Sequence, residues 1–133
     1  MRRAFADTFY YLGLLNPRDE AHDQVIEFTK AFTGTMVTTD WVITELADAL
    51  SDLANRRTLV EFVESLRVDP AVRIVPAGRR LLNKAWDLYQ RRLDKEWSLT
   101  DCTSFVVMRE RGLTTALTGD RHFEQAGFQI LLE

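Results

Sequence analysis

Leu113-Thr114-Thr115-Ala116-Leu117-Thr118-Gly119-Asp120 reads as a buried strand that stops at a glycine and is followed at once by an acid. Arg121-His122-Phe123-Glu124-Gln125 then has the look of a helix start. An acid at the C-terminal end of a buried strand stands where open α/β sheets place ligand chemistry. The pattern recurs near the other end of the chain, where Arg3-Ala4-Phe5-Ala6-Asp7-Thr8 is a short apolar run ending in an acid. Glu45 and Asp101 sit in comparable settings. The reading that follows is that Asp7, Glu45, Asp101 and Asp120 converge on a divalent metal.

Outward from these anchors, short apolar runs alternate with helical periodicity. Residues 2–7, 35–39, 72–75, 114–118 and 128–132 read as strands. Between them, residues 8–15 form a short buried helix ended by Asn16-Pro17, because the residue before proline is pushed out of the helical region. Pro17 and the acids after it open a second helix over 18–33, closed by Gly34. Asp40 is expected to cap a helix beginning at Trp41, and Arg56-Arg57 lead into another helix with Leu59, Val60, Phe62, Val63 and Leu66 as its inner face. A long helix over 79–94 packs Leu81, Leu82, Ala85, Trp86, Leu88, Tyr89 and Leu93 inward. Ser98 and Asp101, three residues apart, resemble a capping box opening a helix that ends at Gly112. Strands alternating with helices predict one α/β domain over 1–133, with a five-stranded parallel sheet flanked by helices in three layers and joined by right-handed crossovers.

A chain of 133 residues with 46% apolar and 28% charged residues is long enough for one buried core. No run of about 18 apolar residues crosses a membrane, and no signal peptide is visible, so a cytoplasmic protein is expected. One cysteine, Cys102, forms no internal disulfide, and one Cys with two His makes a thiolate zinc site a poor fit. The net charge of −3 argues against a protein that coats nucleic acid. It leaves room for a nuclease whose acids hold cations. The cations Arg79, Arg80, Lys84, Arg91 and Arg92 form either a solvated face or a phosphate-contacting stripe.

Clustered carboxylates repel one another and raise one another's pKa, which is costly unless a cation belongs to the site. Mg²⁺ takes a few carboxylates from separate elements and keeps several waters, and such ions activate water for attack on a phosphodiester. Each acid also has an ordinary reading: Asp7 as a helix cap, Asp101 as the capping-box acid, Asp120 as a turn residue, and Glu45 as a surface acid. The order and setting of all four together are more specific than any one.

The stretches Ala6-Asp7-Thr8, Thr44-Glu45-Leu46, Ser98-Leu99-Thr100-Asp101-Cys102-Thr103-Ser104 and Ala116-Leu117-Thr118-Gly119-Asp120-Arg121-His122-Phe123, with Gln125-Ala126-Gly127-Phe128, span essentially the whole chain. In them the sequence resembles the PIN-domain ribonucleases, and most closely the VapC-type toxins of bacterial type II toxin–antitoxin pairs. The resemblance implies a PIN-like sheet in the order 3-2-1-4-5 and Mg²⁺- or Mn²⁺-dependent endonucleolytic cleavage of RNA. It implies metal-binding and catalytic roles for Asp7, Glu45, Asp101 and Asp120, with Thr8, Ser98, Thr100 and Thr118 as supporting residues. It also implies a small antitoxin partner that places a basic side chain in the acidic site, and a homodimer. The helices at 18–33 and 41–68 are the surfaces expected for these partners. One position departs from the pattern: many members have Asn two residues after the first acid, where this chain has Phe9.

Two further readings of the acids are a PIN nuclease of RNA maturation outside any toxin system and a non-catalytic module that only binds a partner. A receiver-like phosphoacceptor would need an acidic pair after strand one and a Lys after the last strand, and neither is present. His122 is either a proton shuttle or a packing residue of the last helix. Cys102 reads as a small buried hydrophobe. Trp86 is expected in the core, and Trp97 is the candidate for a surface role.

Overall fold

Ala4, Phe5 and Ala6 have no side-chain polar group to expose, and they form the buried centre of the sheet in β1, Arg3–Ala6. The computed structural model describes residues 2–132. After β1 come α1 (Thr8–Leu15), α2 (His22–Ala31), β2 (Thr35–Thr39), α3 (Asp40–Ala49), α4 (Leu53–Val68) and β3 (Val72–Val75). The second half holds α5 (Arg79–Arg91), α6 (Leu99–Glu110), β4 (Thr115–Leu117), α7 (Arg121–Gln125) and β5 (Gln129–Ile130).

The strands form a single five-stranded sheet in the order β3-β2-β1-β4-β5. Every pairing is parallel. All strands therefore end at the same edge. The chain runs outward from β1 in both directions, through β2 to β3 on one side and through β4 to β5 on the other. Right-handed crossovers then place α1 to α4 on one face and α5 to α7 on the other. The helix contacts agree, with α1 against α2 and α3, and α6 against α5 and α7. The reversal of strand order falls between β1 and β4, the point where open sheets leave a crevice for ligands. The register pairs Ala6 with Leu117, so Asp7 and Thr118 leave the sheet side by side at that crevice.

Phe5, Tyr10, Tyr11, Leu46, Phe105, Met108, Leu117 and Phe123 are fully buried and fill both interfaces. Phe105 on α6 meets Trp97, Phe123 and Phe128 at ring-centroid distances of 5.1, 5.0 and 5.8 Å. This cluster fixes α6 against α7, the two helices whose N-termini carry Asp101 and Asp120.

Several expectations are corrected. The second helix begins at His22, not at residue 18, because Asn16 and Asp19 close turns instead. The Arg18 N–H donates to Asn16 Oδ1 at 3.0 Å and the Ala21 N–H to Asp19 Oδ1 at 2.9 Å. Such short polar side chains compete with the helix for backbone donors. Thr39, not Asp40, caps α3 by accepting from the Val42 N–H, while Asp40 accepts from the Ala77 N–H and ties α3 to the segment after β3. The long helix stops at Arg91, which leaves Leu93 beyond its end and exposed instead of packed inward, and the last strand is two residues long. The tryptophans exchange roles: Trp86 is 49% exposed, whereas Trp97 is buried, donating from Nε1 to Gln125 at 2.9 Å beneath the Arg92 guanidinium.

The basic face of α5 is largely paired within the protein. Arg80 and Lys84 both reach Glu110, Arg91 reaches Asp87, and Arg92 reaches Asp94. That arrangement fits the solvated-face reading better than a phosphate stripe. Among the described residues no helix is long and apolar enough to cross a membrane.

Candidate functional site

A cleft of about 540 Å³ opens at the C-terminal edge of the sheet, lined by Asp7, Thr8, Phe9, Leu12, Glu45, Ala49, Glu96, Ser98, Asp101, Asp120 and His122. All four acids singled out from the sequence meet there, brought from the end of β1, the middle of α3, the first turn of α6 and the start of α7.

Asp7 is the buried member, with 6% of its surface exposed. It occupies the N-cap position of α1, yet its carboxylate makes no capping bond, which leaves the side chain to the cleft. Thr118 donates to Asp7 Oδ2 at 2.9 Å, and the same hydroxyl oxygen accepts from the Asp120 N–H at 3.0 Å. One threonine therefore links the first acid to the last. Burial pushes the Asp7 carboxyl up to about 7, and the negative charges of Asp101 and Glu45 add to the effect. The Thr118 hydroxyl and the Thr8 N–H act in the opposite sense.

Asp101 does two jobs. Ser98 accepts from the Asp101 N–H at 2.9 Å while Asp101 Oδ2 accepts from the Ser98 N–H at 3.1 Å, a complete capping box. The same Oδ2 lies 3.0 Å from His122 Nδ1. Burial holds this carboxyl above the usual range, against the pull of the Ser98 N–H and the imidazole, and Asp120 raises it further. Asp120 caps α7 by accepting from the His122 N–H at 2.9 Å, and its Oδ1 lies 3.5 Å from His122 Nδ1. A ligand atom from each of Asp101, Asp120 and His122 falls within 4.8 Å of the others. Glu45 is exposed on α3 and reaches the cleft through Oε1, which accepts from the Thr8 hydroxyl at 2.5 Å. Replacing Ser98 by Ala is expected to cost about 1 kcal/mol through the lost cap. Urea unfolding at pH 7 measures it.

Among the described residues no Lys or Arg forms an ion pair with these four acids. The donors are hard oxygen atoms from separate elements around a partly buried cleft, the set a hard divalent cation takes. The carboxylate chemistry and the buried, uncompensated Asp7 both fit such an ion.

A PIN domain family model matches residues 4–129. The chain belongs to the PIN domain family. All four acids lie inside the match. This PIN domain is 29% identical over 124 residues to the 23S rRNA-specific endonuclease VapC20 of Mycobacterium tuberculosis, covering 93% of this chain and 94% of that protein. The crystal structure of M. tuberculosis VapC20, described as a Sarcin-Ricin loop cleaving toxin, superposes with a TM-score of 0.89 at 28% identity, over 98% of this chain and 99% of that one. FitAcB from Neisseria gonorrhoeae shares the fold, with a TM-score of 0.71 at 18% identity over 96% of each chain.

Within this PIN domain the secondary candidates separate. Thr8 and Ser98 each bond directly to one of the acids, and Thr118 bonds to two. Thr100 does not line the cleft, and its carbonyl accepts from the Thr103 hydroxyl. Glu96 lines the cleft as a fifth carboxylate that sequence reasoning did not single out. Its placement two residues before the capping serine was the available signal. His122 joins the acid cluster as well as closing the last helix. Cys102 is buried, and burial with Asp101 nearby pushes its thiol up to about 11, so it is not poised as a nucleophile.

Proposed function

We propose that this chain is a metal-dependent endoribonuclease, the toxin of a toxin–antitoxin pair, with ribosomal RNA as the substrate class. The observation that carries the proposal is the convergence of Asp7, Glu45, Asp101 and Asp120 on one cleft, with no Lys or Arg paired to them among the described residues. The likeness to VapC20 along nearly the whole chain supports the choice of RNA and of a toxin. Asp7, Asp101 and Asp120 would hold Mg²⁺ or Mn²⁺ through carboxylate oxygens. When bound, the ion supplies an activated water near neutral pH and neutralises charge on the phosphate.

The protein's own groups do the rest. Thr118 orients Asp7 and favours its charged form by donating to it. The capping box and His122 hold Asp101 Oδ2 in place. Glu45, fixed at Oε1 by Thr8, takes the proton of the attacking water at its other oxygen. In-line attack on phosphorus breaks the P–O3′ bond, and the leaving 3′-oxygen takes a proton from solvent, giving a 5′-phosphate and a 3′-hydroxyl. A small antitoxin covering the cleft would place a basic side chain among these carboxylates, and a homodimer is the proposed working state.

Intact ribosomes and purified tRNA, each incubated with the protein in Mg²⁺ and in EDTA, test this reading. The expected result is cleavage at one or a few sites of the large ribosomal RNA in Mg²⁺ alone. Intact RNA in every tube would contradict it.

Thr118→Val tests the threonine link. Asp7 loses a donor to its charged form, so its carboxyl rises further and the acid limb of the pH–rate profile moves to higher pH. The expected loss is about 10-fold in kcat/KM at pH 7, on the scale of one charge-assisted hydrogen bond, and less at pH 8.5. A profile of unchanged shape would remove Thr118 from this role.

A further inference from the structure

Phe9 is exposed over 36% of its surface, although Thr8, Tyr10 and Tyr11 beside it are buried. Its position in the fold is specific. It lines the carboxylate cleft, and it also lines an adjoining groove of about 350 Å³ formed with Asp19, Glu20, Ala21 and Gln24. The ring is seated on the glycine before Asp120: a Cβ on Gly119 would lie 2.6 Å from Phe9 Cζ and 3.0 Å from Cε1. The first acid is two residues away along the chain, and the last is one residue beyond the glycine that seats the ring. Phe9 is thus a fixed aromatic wall between the carboxylates and the next groove.

A phosphate held at the carboxylates through a cation must place its flanking bases somewhere. The adjoining groove carries Asp19 and Glu20, which repel phosphate but accept hydrogen bonds from the amino groups of bases. An aromatic ring at the boundary offers a stacking surface to any base. We propose that Phe9 is a substrate-positioning residue, whose ring stacks on the base adjoining the phosphodiester that is cut. The proposal rests on the endoribonuclease reading given above. Phe9 touches no reacting atom in it and acts by orienting the strand, so its loss is felt in KM.

The test uses an RNA oligonucleotide spanning the mapped cut, with 2-aminopurine placed in turn on each side of the scissile bond. Wild type, Phe9→Leu and Phe9→Tyr are compared by steady-state kinetics and by stopped-flow fluorescence in Mg²⁺. Stacking of one base supports an expected 10- to 100-fold rise in KM for Phe9→Leu, with kcat within about threefold of wild type. Phe9→Tyr keeps the wild-type KM. Rapid quenching of the 2-aminopurine on one side precedes cleavage in wild type and Phe9→Tyr and is lost in Phe9→Leu. Cleavage by wild type with an unchanged KM in Phe9→Leu assigns the ring to packing or to a protein partner and overturns this proposal alone. So does a Phe9→Tyr variant that loses binding as Phe9→Leu does. Absence of cleavage by wild type overturns the nuclease reading and this inference together.

Discussion

Asp7→Asn is expected to lower RNA cleavage by roughly 1000-fold and, in the same protein, to raise the stability of the metal-free fold at neutral pH. The first effect follows from removing an oxygen donor from the proposed metal centre, since such centres contribute several kcal/mol to catalysis. The second follows from the carboxyl itself. In the unfolded chain Asp7 titrates near the ordinary value of 3.8, and in the fold it titrates at about 7. Between those values the folded protein binds more protons than the unfolded one, so stability falls as pH rises through the window from about 4 to 7. The loss is complete above pH 7 and amounts to about 2–4 kcal/mol. Asn carries no charge to desolvate, and its carbonyl oxygen can still accept from Thr118. Urea unfolding in EDTA at pH 5 and pH 8 measures the effect. Wild type loses this contribution between the two pH values and Asp7→Asn does not. Mg²⁺ then restores wild type at pH 8 and leaves the variant unchanged. An Asp7→Asn protein less stable than wild type at pH 8 in EDTA would contradict the electrostatic account.

Phe105→Ala is expected to cost about 4 kcal/mol, the scale for truncating a buried Phe to Ala. Phe105 is fully buried and its ring meets those of Trp97, Phe123 and Phe128. Beyond the area lost, three aromatic pairs disappear at once. A domain of this size has roughly 5–15 kcal/mol to lose, so the variant is left marginal. Phe105→Leu keeps most of the volume and is expected to cost less than half as much. Both values come from denaturant midpoints. A loss below about 1 kcal/mol for Phe105→Ala would mean that the ring cluster does not fix α6 against α7. The structural cost is also a functional one, because the N-termini of those helices hold Asp101 and Asp120 beside His122.

The sheet and two of the acids were legible because their signals are local. Phe5-Ala6-Asp7 and Leu117-Thr118-Gly119-Asp120 are buried strands that end in acids, and parallel strands end at one edge. Glu45 was legible only through the order of the acids along the chain, since an exposed Glu on a helix carries no signal alone. The ordinary reading of Asp101 as the capping-box acid also holds, and Asp120, read as a turn residue, is the N-cap of α7; both line the cleft. The site therefore reuses cap positions, which keeps the two carboxylates oriented.

What the sequence did not disclose was non-local. Helix α5 has two apolar stripes, and only Leu81, Ala85 and Leu88 face inward, which leaves Trp86 and Tyr89 outside. Helical spacing alone does not say which stripe is buried. Trp97 stands between Glu96 and Ser98 and looked exposed, but Phe105 and Gln125 arrive from later in the chain to cover it. The contact of His122 with Asp101 spans 21 residues and depends on how α7 lies against α6.

The most direct test of the central claim compares cleavage of ribosomal RNA by wild type and by Asp101→Asn, each in Mg²⁺ and in EDTA, with urea unfolding to show that both are folded. The account predicts cleavage by wild type in Mg²⁺ and intact RNA in the other three reactions. Cleavage that persists in EDTA, or that Asp101→Asn performs as fast as wild type, would contradict a nuclease built on these carboxylates.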